Sequence, residues 1–144
     1  MLGLDGATRA AQRESPGERY NLVVLRDPGI IDVSLDPVRR QLLGRLVGEL
    51  RRNLGDRVGS VTLYGSFARG DPHEESDIDL LVLLRDEPTD ADRLLAARLA
   101  VEVEASSNAC FVPSVILLAE RRFAELRERE LRFALDVERE GIRL

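Results

Sequence analysis

Residues 77–84, Asp-Ile-Asp-Leu-Leu-Val-Leu-Leu, constrain the fold more than any other stretch of this chain. Six of the eight are large aliphatics in an almost unbroken run. A strand exposed on one face alternates apolar and polar residues, whereas a strand covered on both faces reads as continuous Val, Ile and Leu. The run therefore predicts a strand at the centre of a layered α/β or α+β structure, a small mixed sheet flanked by helices. It also carries an oddity at its mouth, where Asp77 and Asp79 stand one residue apart.

The flanking sequence supplies the layers. Asp36 is a good N-cap and Pro37 suits the first helical position. Val38, Leu42, Leu46 and Leu50 follow at helical spacing, with Leu43, Val47 and Leu54 widening the stripe, and Gly55 marks the end. Residues 61–66 (VTLYGS) read as a strand. Thr89 offers an N-cap with Asp92 as its capping-box partner, opening a helix through Leu94, Leu95 and Leu99 to about Ser106. Residues 110–119 (CFVPSVILLA) read as a third strand, with Pro113 favouring an edge. A single helix is expected over 120–140, burying Phe123, Leu126, Leu131, Ala134 and Leu135 and stopped by Gly141. Residues 20–25 (YNLVVL) form a further strand candidate. The expected organisation is an N-terminal extension over 1–33, partly disordered or the remnant of a winged-helix wing, and a domain over 34–144.

Composition narrows the function classes. The chain has 144 residues, 44% hydrophobic and 33% charged, which suits one domain with a real core. Aromatics are 4%, so that core is aliphatic. A net charge of −5 argues against a broad basic surface for nucleic acid. One cysteine, Cys110, rules out a disulfide framework, and reads as a small buried apolar residue. No apolar run approaches the roughly 20 residues of a membrane span, and the first residues lack the continuous apolar core of a signal peptide. A cytoplasmic protein is expected.

The chemistry gathers between the first two strands. Gly65 lets backbone approach a ligand closely, and Ser66 adds a hydroxyl and an N–H at the start of a short helix, an arrangement suited to phosphate. Arg69 lies one turn further and can make charge-assisted bonds to phosphate oxygens. Alternate residues of a strand share a face, so Asp77 and Asp79 point the same way, about 7 Å apart. Two such carboxylates repel and resist burial unless a cation neutralises them. Magnesium prefers one or two carboxylates completed by water and substrate phosphate. Without that context a DxD pair is a solvated strand start and Ser66 a helix cap. His73, in the acidic loop after Asp71-Pro72, reads as a solvated loop residue. The run AERRFAELRERELR reads as a solvated helix face.

Gly65-Ser66, ten residues, Asp77, one residue, Asp79 resembles the signature of the DNA polymerase β-like nucleotidyltransferase superfamily. The wording GSFARG…SDIDLLV is most similar to its minimal nucleotidyltransferases, over about residues 36–144. The resemblance implies Asp77 and Asp79 as catalytic metal ligands, Gly65, Ser66 and Arg69 as phosphate-binding residues, and Mg²⁺ (or Mn²⁺) as cofactor. It implies transfer of a nucleoside monophosphate, by default AMP from ATP, to a hydroxyl acceptor. It also implies an HEPN-type toxin as partner and acceptor, with oligomerisation open. An alternative is a catalytically weak module that acts by binding its partner. Antibiotic nucleotidyltransferases carry an added acceptor-binding domain for which 144 residues leave no room in one copy. The family's third metal-site acid sits on a later strand. Here that strand offers Ser114, and Glu102, Glu104 and Glu120 are the nearest acids in sequence.

Overall fold

A computed structural model describes residues 35–108 and 111–144. The expected strand at 20–25, the extension over 1–33 and Cys110 lie outside the described residues. Asp36 caps the first helix, α1 (Pro37–Leu54), accepting from the Val38 and Arg39 backbone N–H groups, each at 3.0 Å. Leu46 and Leu50 are fully buried, and Leu43, Val47 and Leu54 nearly so. Val38, expected in that stripe, is 56% exposed as the second residue of the helix, and burial of the stripe begins at Leu43. A 3₁₀ turn (Gly55–Arg57) then leads into β1 (Val58–Tyr64).

The expected strand at 61–66 thus starts and stops earlier. Gly65 takes φ +75°, which breaks the ladder, and Ser66 opens a single-turn helix, α2 (Ser66–Arg69), closed by Gly70 in the left-handed region. β2 (Ile78–Leu84) follows the acidic loop and pairs antiparallel with β1. α3 (Asp90–Ala105) begins at the Thr89–Asp92 capping box. β3 (Pro113–Ala119) pairs parallel with β2 and occupies the edge, as Pro113 predicted.

The helix expected over 120–140 is two helices, α4 (Glu120–Glu128) and α5 (Arg132–Glu140). Glu130 adopts φ +52° at the break. A straight helix of that length would run about 30 Å and overshoot this small sheet. The turn instead brings Ala134 and Val137 into buried positions, while Leu131 remains 41% exposed and Phe123, Leu126 and Leu135 are half-buried. Gly141 ends α5 as expected. A Cβ there would lie 2.3 Å from the Val137 carbonyl oxygen and 2.7 Å from Thr62 Cγ2, so only glycine allows the close turn into β4 (Ile142–Arg143). β4 was not foreseen. It pairs with Thr62 and Leu63, and the Leu144 N–H donates to the Val61 carbonyl at 2.9 Å.

The sheet order is β3-β2-β1-β4. Alternation divides β2 cleanly. Ile78, Leu80, Val82 and Leu84 join Val61, Leu63 and Leu117 in the core beneath α1 and α3. Asp79, Leu81 and Leu83 project to the other face, shared with Tyr64, whose ring meets Phe133 of α5. Leu81 and Val82 are both fully buried, so the centre of the sheet is covered on both sides, as its aliphatic run requires.

Candidate active site

The site forms where β1 ends, β2 begins and α5 closes over the second face. Antiparallel register sets Tyr64 opposite Asp79, and Gly65 continues the chain beside it. A Cβ on Gly65 would lie 2.4 Å from Asp79 Oδ2. Glycine is therefore required twice, for its positive φ and for the space that the carboxylate occupies. Ser66 opens α2 immediately after. At four residues α2 has little macrodipole, so the N–H groups of its first turn, which lack intrahelical partners, are what it offers to an anion.

Asp77 is exposed just before β2, and Asp79 is half-buried as its second residue. Burial raises the Asp79 pKa above the ordinary carboxylate value; the charge of Asp77 raises it further, and the Arg69 guanidinium opposes both. Asp77, Asp79 and Arg69 thus share one electrostatic environment. Arg69 is 42% exposed and bridges Asp71 (Nε to Oδ1, 3.3 Å) and Glu140 of α5 (Nη1 to Oε2, 3.6 Å). Long, exposed ion pairs of this kind are weak, so Arg69 can exchange them for a phosphate at little cost. His73 is exposed, and its N–H donates to Ser76 Oγ at 2.9 Å, which shapes the loop between the two strands.

Two residues of the site escaped the sequence reading. Tyr64 stacks edge-on against Phe133, with ring centroids 5.5 Å apart, and burial followed by the Asp79 charge pushes its hydroxyl up to about 12. At neutral pH it is a neutral donor beside the aspartate pair. Its position directly before Gly65-Ser66 was the available signal. Glu140 gave no sequence signal, because α5 reaches the site only through the break at 129–131.

The donor set fits a hard divalent cation delivered with its nucleotide. Two adjacent carboxylates, one of them raised by burial and by the other's charge, match the one or two that magnesium takes from protein alongside substrate phosphates. No group of three His, Cys, Asp or Glu side chains that could hold a metal occurs among the described residues. Parallel register places Ser114 opposite Asp79, where a third acid was sought. The suggested substitutes do not reach it. Glu120 lies against Gly59, five residues and about 17 Å from Tyr64 along β1. Glu104 flanks Pro113 and Val115 beside α3, on the opposite face of the sheet. Glu102 pairs with Arg98 on the exposed side of α3.

A family model described as nucleotidyltransferase domain matches residues 43–137, from within α1 into α5, and covers Tyr64, Gly65, Ser66, Arg69, Asp77 and Asp79. A candidate protein adenylyltransferase of Methanocaldococcus jannaschii is 53% identical over 36 residues, 25% of this chain and 36% of that protein. The chain thus aligns with about a third of that relative's length. Among solved structures, a toxin-antitoxin crystallised with AMP-PNP is 22% identical, with a TM-score of 0.44 and 68% of each chain covered. A candidate nucleotidyltransferase from Sulfolobus solfataricus is 20% identical, with a TM-score of 0.43, covering 83% of this chain and 85% of that one.

Proposed function

We propose, from the premise that this chain belongs to the nucleotidyltransferase domain family, that it is a Mg²⁺-dependent transferase moving AMP from ATP to a hydroxyl group of a partner protein. The observation that carries this reading is the Asp77–Asp79 pair set against Gly65 with Arg69 in electrostatic reach. The adenylyl group and the protein acceptor are favoured by the name of the Methanocaldococcus relative. An HEPN-type toxin is the acceptor that the sequence resemblance suggests.

Each residue has a part. The Ser66 N–H and hydroxyl meet the triphosphate where Gly65 opens the backbone. Arg69 leaves Asp71 and Glu140 and takes a phosphate oxygen. Asp77 and Asp79 would hold Mg²⁺ (or Mn²⁺), which, when bound, neutralises charge on the phosphates and on departing pyrophosphate. Tyr64 donates from beside Asp79. The acceptor oxygen bonds to the α-phosphorus, the bond from that phosphorus to the bridging oxygen breaks, and pyrophosphate leaves. Ser114 cannot take the acceptor's proton at neutral pH, so that proton passes to the acceptor's own surroundings or to water.

Ser114 also favours a second reading, a weak or inactive transferase that acts by binding its partner. Calorimetric titration of ATP with and without Mg²⁺ tests the site itself. Binding that requires Mg²⁺ and vanishes in Asp79→Asn supports it; metal-independent or absent binding rejects it. Transfer from α-labelled ATP to a co-purifying partner then separates the two readings. Label on the partner supports transfer, whereas partner inhibition that survives Asp77→Ala supports binding alone.

A further inference from the structure

Arg69 lies within electrostatic reach of two carboxylates that attract it, yet its guanidinium is committed elsewhere. Among the described residues its ion pairs go to Asp71 (Nε to Oδ1, 3.3 Å) and to Glu140 of α5 (Nη1 to Oε2, 3.6 Å). It acts on Asp79 through its charge alone. That division needs a cause. A guanidinium and a carboxylate readily form a bidentate pair, and Asp79 is a half-buried acid already repelled by Asp77. An arginine free to turn would settle on those carboxylates and stand where a divalent cation has to bind.

The two acids that hold Arg69 are placed differently. Asp71 follows it two residues on, in the same loop, and is 63% exposed. Glu140 comes from the opposite side of β1 in the chain and is fixed by tertiary contacts. The Gly141 N–H donates to the Val137 carbonyl at 2.9 Å, and β4 pairs with Thr62 and Leu63. The Leu144 N–H donates to the Val61 carbonyl at 2.9 Å, and Arg51 of α1 donates from Nη2 to the Leu144 carbonyl at 2.8 Å. The segment after Glu140 is thus tied to both β1 and α1. The Glu140 backbone cannot follow the guanidinium if it turns toward β2, so the carboxylate acts as a fixed anchor.

We propose that Glu140 is a positioning residue that holds the Arg69 guanidinium away from Asp77 and Asp79, which keeps the carboxylate pair open to a divalent cation. The inference rests on the reading of that pair as metal ligands. It also gives the order of events a physical reason. The aspartates remain available to the metal, and the arriving triphosphate draws Arg69 from acids that release it easily, because both ion pairs are part-exposed and weak.

Binding of Mn²⁺ alone to the full chain, followed by the electron paramagnetic resonance signal of the free ion, tests the proposal. Glu140→Gln should weaken Mn²⁺ binding roughly threefold, the size of one part-exposed ion pair, with an unchanged melting temperature. Glu140→Asp keeps the charge but is one methylene shorter, so it should act like Glu140→Gln. Arg69→Ala should bind Mn²⁺ at least as tightly as the wild type, and adding Glu140→Gln to it should change nothing further. Mn²⁺ binding that Glu140→Gln leaves unchanged would overturn this inference alone. So would Glu140→Asp behaving as wild type, or a weakening by Glu140→Gln that persists without Arg69, since either would mean that Glu140 acts only as a nearby charge. A wild-type chain that binds no Mn²⁺ would overturn the metal reading and this inference with it.

Discussion

Leu80 and Asp79 are neighbours on β2, yet they belong to opposite sides of the molecule and answer to different requirements. Leu80 is fully buried beneath α1 and α3, in an apolar core of aliphatic side chains joined by Phe67 and Phe111. Asp79 faces α5 in a half-buried position, beside a second carboxylate and a tyrosine. One face lowers the free energy of the folded chain. The other holds charge at a cost to it, which is the usual compromise of a site made ready for a ligand. The comparison teaches that parity separates core from site only at the mouth of the strand, since Leu81, on the face of Asp79, is fully buried.

The sharpest way to break that comparison is to exchange the two losses. Leu80→Ala should cost about 3 kcal/mol of unfolding free energy, measured by urea denaturation. Asp79→Asn should cost nothing, or raise the melting temperature slightly, since it removes a partly desolvated charge repelled by Asp77, while Mg²⁺-dependent ATP binding disappears. A strongly destabilised Asp79→Asn would show that the carboxylate serves the fold.

Gly65→Ala touches both sides. The left-handed backbone and the clash with Asp79 should together cost about 2 kcal/mol, and nucleotide binding should fall in the same variant. Retained binding with normal stability would show that the turn tolerates a side chain.

A smaller effect belongs to the far end of the sheet, where Arg57 clamps Asp92 of α3 with two 2.9 Å bonds and also holds Asp86 at 2.9 Å. The Arg57 side chain, then the Thr89 backbone, holds the Asp92 carboxyl well below the usual carboxylate range. A depressed carboxyl stabilises the fold above its unfolded pKa, near 4, and loses that contribution as pH falls through the lower folded value. Asp92→Asn should therefore cost about 1 kcal/mol at pH 7, discounted for the part-exposed arginine, with the difference from wild type shrinking below about pH 4. Denaturation series at pH 7 and pH 3 check this, and ATP binding should not change.

Tyr64→Phe is expected to do least. The edge-on contact with Phe133 survives, so stability should shift by less than about 0.5 kcal/mol, and ATP affinity should drop only a few-fold as the donor is lost. A complete loss of binding would move Tyr64 into the centre of the site.

Local rules carried much of this structure. The Asp36 cap, the Thr89–Asp92 capping box and the Gly55 and Gly141 stops all depend on a few adjacent residues, and all stand where the sequence placed them. The buried strand was legible because burial on both faces leaves no position for a polar residue. The edge position of β3 was legible from Pro113, which cannot donate to a ladder. The Gly65-Ser66 turn and the Asp77–Asp79 pair were legible because their chemistry is written in spacing.

What remained hidden depends on elements far apart in the chain. The break at 129–131 follows from the size of the sheet, which no local window reports. β4 has two residues, too few for any periodicity, and exists because Thr62 and Leu63 leave an edge to pair. Tyr64 and Glu140 joined the site through strand pairing and helix placement. The sequence by itself determined the layered class, the helix ends and the two carboxylates, because each rests on short-range sterics, capping or alternation. Only the tertiary structure decided that Ser114 stands opposite Asp79 with none of Glu102, Glu104 and Glu120 beside it. That outcome belongs to the register between two strands joined through a helix, and such register is set by packing across the whole sheet.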